Sequence, residues 1–209
     1  MKKKIKENRE IIIIAIIVIA AVAAAFVFYS ASRPKADALA EVNGVKILQE
    51  DINEIALTIP QQMKDNVTDA ELLEQAINFE IIRQESEKLG IGVTDAEAEA
   101  NIDLTLQGVG LDRDALKESL RLQKVSWETM FNAYKKQILS YKFINETILR
   151  NLTVTENEMK ELYNSADLNV SYEEIKSEVN KTIVAAKVQQ MLGEFLTQKR
   201  MEYNIVRYV

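Results

Sequence analysis

Apolar and polar positions along the chain fall into three regimes. From Ile11 to Tyr29 there is no charged residue, and the only polar side-chain group is the Tyr29 hydroxyl. As a helix rising 1.5 Å per residue this run is about 28 Å long, close to the hydrocarbon thickness of a bilayer. Around Val42-Asn43-Gly44-Val45, Asn-Gly stands between apolar neighbours, a hairpin signal because both residues tolerate positive φ. The pattern predicts strands at Leu39–Val42 and Val45–Leu48. Near the C-terminus, Tyr203-Asn-Ile-Val-Arg-Tyr-Val209 is β-branched and aromatic and predicts a further strand. A two-stranded hairpin is marginal alone, so this strand is its natural third partner, which brings the two ends of the domain together.

Between these strands the apolar positions recur every three or four residues, and helix starts are announced repeatedly. Thr68…Glu71, Thr94…Glu97, Thr155…Glu158 and Ser171…Glu174 fit the capping box. Gly90 with Gly92, and Gly108 with Gly110, break the chain before Thr94 and Asp112, and Pro60 stops the first helix. The expected helices are 49–59, 69–89, 95–107, 113–122, 126–150, 155–164 and 171–200. In the fifth, Trp127, Phe131, Tyr134, Ile138, Tyr141, Ile144 and Ile148 form a stripe; in the last, Ile175, Val179, Ile183, Leu192 and Phe195 continue a similar one. Core packing accounts for most of that signal. The functional alternative is that part of the aromatic and methionine surface faces a groove for apolar peptides. On that reading Met63, Trp127, Met130, Phe131, Tyr134, Met191 and Phe195 are the candidate substrate-binding residues, with Met201 a further adaptable side chain.

Charge orients the apolar run. Lys2, Lys3, Lys4, Lys6 and Arg9 precede it against Glu7 and Glu10, so residues 1–10 are expected to stay cytoplasmic and the C-terminal side to lie outside the cytoplasm. Phe26, Phe28 and Tyr29 fit an interfacial aromatic belt. A cleaved signal peptide is the competing reading, because Ser30-Ala31-Ser32 offers a small-x-small pattern, yet the apolar stretch exceeds the roughly 7–15 residues usual there. Both readings imply export. The expected organisation is a basic tail at 1–10, a single-pass transmembrane helix at 11–29, a linker at 30–37 and a mostly α extracytoplasmic domain over 38–209.

The first ten residues carry a net charge of +3, so the −6 of the whole chain leaves −9 beyond them. An acidic exported domain is not built for nucleic acid or anionic lipid surfaces. There is no Cys, so stability rests on packing without disulfides. There is also no His, which removes the usual general base, the commonest zinc ligand and every Ser–His or Cys–His nucleophile. No metal, cofactor or catalytic residue is expected. Five Asn-x-Ser/Thr triplets, at Asn66, Asn145, Asn151, Asn169 and Asn180, are candidate glycosylation sites. Fourteen asparagines with this Ser/Thr content predict roughly one by chance.

The order of elements resembles the SurA/PrsA/PpiD family of exported chaperones. Ala40-Glu-Val-Asn-Gly-Val-Lys-Ile47 with Asp51 is similar to that family's opening, and Leu72 through Ile91 to its second helix. Val93-Thr-Asp-Ala-Glu97, Leu152-Thr-Val-Thr-Glu-Asn-Glu158 with Tyr163, and Ser171 through Leu196 follow in the family's order. The resemblance covers residues 38–209 and implies a SurA N-terminal-like helical domain with a small antiparallel sheet. In the isomerase members a parvulin domain with paired histidines sits between the last two helices. Here Ser165 to Val170 bridge them, so prolyl isomerase residues have no counterpart. The implied function is a membrane-anchored chaperone that binds unfolded or newly exported polypeptides without catalysis, with the protein translocase a candidate partner. The alternative is an anchored structural or interaction subunit of a membrane or translocase complex.

Overall fold

The computed structural model describes residues 38–59, 66–166 and 170–208. The expected span 11–29, the linker 30–37, Met63 and Asn169 lie outside them. Strands β1 (Ala40–Val42) and β2 (Val45–Ile47) lead into α1 (Gln49–Thr58), α2 (Asp69–Lys88), α3 (Asp95–Val109), α4 (Arg113–Leu122) and α5 (Trp127–Thr147). A 3-10 turn at Leu149–Asn151, α6 (Glu156–Ser165), α7 (Tyr172–Glu202) and β3 (Ile205–Arg207) complete the order. The mostly helical class and the small antiparallel sheet are as expected. Among the described residues no helix is long and apolar enough to cross a membrane.

The hairpin turns on Asn43 (φ 51) and Gly44 (φ 86), the two positive-φ positions a primed two-residue turn requires. β1 is the central strand of the order β2-β1-β3, with Ala40 opposite both Ile47 and Arg207. Ala40 and Val42 are fully buried, while Glu41 faces the other side, as period-2 alternation demands. Asn43 then ties three segments together. Its Nδ2 donates to Gln84 Oε1 (2.9 Å), its Oδ1 accepts from the Asn204 N–H (2.9 Å), and its own N–H donates to the Asn204 carbonyl (2.8 Å). Arg207 forks onto Glu74 (2.7 and 3.1 Å), and the Tyr203 hydroxyl sits between Glu85 (2.5 Å) and Lys88 (2.8 Å), so β3 is held to α2 as well as to β1.

Helix starts follow the predicted chemistry. Full capping boxes form at Thr68/Glu71 and Thr155/Glu158. Thr94 accepts from the Glu97 N–H (3.1 Å), and the Ser171 N–H donates to Glu174 (3.1 Å). The expected helix 126–150 ends at Thr147 instead, where the chain tightens into the 3-10 turn.

The described residues divide into two compact units. One comprises the described residues up to Ser140 with Tyr203–Tyr208; the other is Tyr141–Glu202. In the first, Leu57, Ile102, Leu106, Leu116, Leu120, Val125, Met130 and Ala133 form one buried cluster, each large member contributing about 1.5–3 kcal/mol through burial. In the second, the Phe143 ring is 1% exposed and meets Phe195 at 5.2 Å, and Ile148, Met159 and Val179 are also buried. Its core is thin: of the 31 residues of α7, Val179 alone is buried.

Candidate functional site

An open cleft of about 520 Å³ lies within the first unit, between α1, the C-terminal half of α2, the following loop and α5. Phe79, Ile91, Val93 and Leu139 supply its apolar lining. Around them stand Asp51, Glu54, Arg83, Glu87, Asn132, Lys135 and Lys136.

These charges are already paired within the protein. Lys136 Nζ bridges Asp51 (2.8 Å) and Glu54 (2.7 Å), and lies 5.2 Å from the Phe79 ring centre. Both Lys136 and Glu54 side chains are largely withdrawn from water, which a lone charge does not tolerate. Asn132 donates to the other Glu54 oxygen (3.1 Å). On α2, Arg83 grips Glu80 through two 2.7 Å bonds and reaches Glu87 at 3.2 Å. The hydrogen bonds to Glu80 hold the Arg83 pKa above its ordinary value despite partial burial. Gln84 joins that pair to the sheet by donating to Glu80 (2.8 Å) and to the Val42 carbonyl (3.0 Å). Lys135 is paired with Asp95.

The carboxylates of the cleft are held by neighbouring cations and, at Glu54, by the Asn132 amide. Among the described residues no cluster of acidic or other ligating side chains could hold a metal ion. An apolar side chain can sit against Phe79, Ile91, Val93 and Leu139, while the polar rim offers donors and acceptors to a flanking backbone.

Of the candidate binding residues, Met63 lies outside the described residues, and none of the other six lines this cleft. Met130 is 5% exposed and fills the core of the first unit, with Trp127, Phe131 and Tyr134 packed half-buried against that core. Trp127 and Phe131 stack at 6.1 Å, with Lys117 (5.7 Å) and Arg113 (6.0 Å) near the Trp127 ring. Met191 and Phe195 belong to the second unit and are half-buried there. The pairing of Asp51 and Glu54 with Asn132 and Lys136 is not legible in sequence because it spans 78 to 85 residues. The one legible hint is local, the Gly90–Val93 break that lets the chain turn along one wall of the cleft.

Comparison with known proteins agrees with the architecture. A 117-residue stretch, 56% of this chain, is 26% identical to the chaperone SurA of Bordetella avium (strain 197N), and the match spans 22% of that protein's length. A solved structure from Campylobacter jejuni, reported for the SurA-like chaperones PEB4 (a virulence factor) and Cj1289 (periplasmic), superposes with a TM-score of 0.52. It is 14% identical, over 82% of this chain and 99% of that one, which speaks to the fold. Residues 1–144, more than half of the chain, match the SurA-like N-terminal domain family. By that match, and by a sheet and helix order that agree with it, this protein belongs to the SurA-like N-terminal domain family.

Proposed function

We propose that this chain is a membrane-anchored, extracytoplasmic chaperone that holds apolar segments of unfolded or newly exported polypeptides. The observation that carries the reading is the cleft of the first unit, an apolar floor ringed by charges satisfied inside the protein. A site of this kind buries a client side chain without having to desolvate an unpaired ion. Burial of this sort is non-directional, so the client range is broad and each contact weak. The apolar run 11–29 with its basic flank supports tethering by one span, N-terminus inside, which would raise the local concentration of clients at the exit of an export channel.

The reading includes no prolyl isomerisation. The family match is to the N-terminal domain, the 209 residues hold no His, and α6 and α7 are joined by residues 166–171 alone.

The test is aggregation suppression of an unfolded exported protein by the full chain in lipid nanodiscs. Suppression is expected, and Val93→Lys should weaken it several-fold with the circular dichroism spectrum unchanged. No suppression at several-fold molar excess would sink the holdase reading. One observation favours a second reading, a subunit dedicated to a single partner: the apolar stripe of α7, including Ile183, Leu192 and Phe195, is only half-buried. Recovery of one stoichiometric partner, lost on Leu192→Lys, would favour it.

A further inference from the structure

Four of the five Asn-x-Ser/Thr asparagines lie among the described residues, and all four (Asn66, Asn145, Asn151 and Asn180) are exposed. Other asparagines are put to structural use. Asn43 ties the hairpin to α2 and the tail, Asn101 donates to the Glu97 carbonyl, and half-buried Asn53 and Asn132 are hydrogen-bonded. The amide of Asn151 makes one exposed bond, to the Thr147 carbonyl at 3.2 Å.

Local conformation sorts the four. Asn145 lies within α5 and Asn180 within α7, where residues two apart point about 200° from each other. Their partner hydroxyls are tied back into the helices, Thr147 to the Phe143 carbonyl (2.6 Å) and Thr182 to that of Glu178 (2.9 Å). An enzyme that must hold amide and hydroxyl together cannot do so on the folded helix. Asn66 instead occupies a turn and runs into extended Thr68 (φ −85, ψ 160), whose exposed hydroxyl caps α2 through Glu71 but sits outside the helix itself. Asn151 closes the 3-10 turn and is followed by extended Leu152 (φ −83, ψ 130), with Thr153 exposed. At these two positions the triplet leaves helical geometry and reaches solvent. Neither asparagine, nor any residue of its triplet, lines the cleft, so a bulky, polar substituent there would leave the client site bare.

We propose that Asn66 and Asn151 carry N-linked oligosaccharide. The donor class is an oligosaccharide joined to a polyprenyl phosphate carrier. A bond forms between Asn Nδ2 and the sugar C1, the C1–O bond to the carrier phosphate breaks, the phosphate leaves with that electron pair, and one amide proton is lost to a base. The proposal rests on export, because transfer of this kind takes place on the far side of the membrane.

Trypsin separates the two sites cleanly, since residues 65–83 and 151–160 each form one peptide with one triplet. Mass spectrometry of the full chain, purified from membranes of the organism that encodes it, should find sugar mass on both peptides. N66Q should remove it from the first, and N151Q and T153A alike from the second, T153A leaving the asparagine itself in place. Protease shaving of intact cells reports export independently. Unmodified peptides from a chain that shaving cleaves would overturn the proposal while leaving export standing. Sugar found only at Asn145 or Asn180 would overturn the assignment. An unmodified chain protected from the protease would overturn the proposal and the export reading together.

Discussion

Lys136 is the residue on which the cleft turns. Its ammonium forms ion pairs with both Asp51 and Glu54, and its 15% exposure against 11% for Glu54 places the Lys136–Glu54 pair largely out of water. Lys136→Met removes the cation and leaves a withdrawn carboxylate, so urea unfolding should show a loss of about 3 kcal/mol. Lys136→Met combined with Glu54→Leu should recover much of that loss, since an apolar pair has no charge to desolvate. Equal destabilisation in the single and double variants would refute the coupling. At the residue scale such pairs were invisible beforehand, because neither a Lys nor a Glu announces a partner 82 positions away.

At the scale of elements, α6 offers a pH test. Glu158 pairs with Lys187 at 2.5 Å and accepts from the N–H and hydroxyl of Thr155, and these contacts, Lys187 first, lower its pKa to about 2. A carboxylate whose pKa falls on folding stabilises the fold above its unfolded value of 4.5. That contribution is lost as pH drops from 4.5 towards 2. The Glu158 carboxyl carbon should therefore titrate by NMR with a midpoint near 2, and Thr155→Val with Lys187→Met should return it towards 4.5. An unmoved midpoint would mean that other groups set it. The sheet gives a second test. Without β3 the hairpin is a two-stranded ribbon that is marginal in water. Deleting residues 203–209 also removes the Arg207–Glu74 ion pair and the Lys88–Tyr203 hydrogen bond. Backbone amides of β1 should then lose their hydrogen-exchange protection, while the buried cluster around Ile102 keeps its own. The caps, the Asn-Gly turn and most helix limits were readable from residues two to four apart. The break after Thr147 was not, because the stripe runs on through Ile148 without a Gly or Pro to stop it.

For the whole molecule the division into two units carries the strongest expectation. Phe143 is 1% exposed and anchors the smaller, thinner core. Phe143→Ala should cost about 3–5 kcal/mol. Hydrogen exchange should accelerate across α6 and α7 first, while α1 to α4 keep their protection. Uniform acceleration through the chain would show that the two units unfold as one.

Sequence alone determined the order of most elements and the pairing of the Asn-Gly hairpin with the strand near Ile205. These depend on turn chemistry, caps and periodicity, which are local and therefore written residue by residue. Only the tertiary structure decided that Met130 packs in a core and that the division of the chain falls inside α5. It alone assembled the cleft, from Phe79, Ile91, Val93 and Leu139 beneath paired charges. Which side of an amphipathic helix a neighbour covers is set by long-range packing, where the free energy of burial depends on shapes that no single stretch of sequence contains.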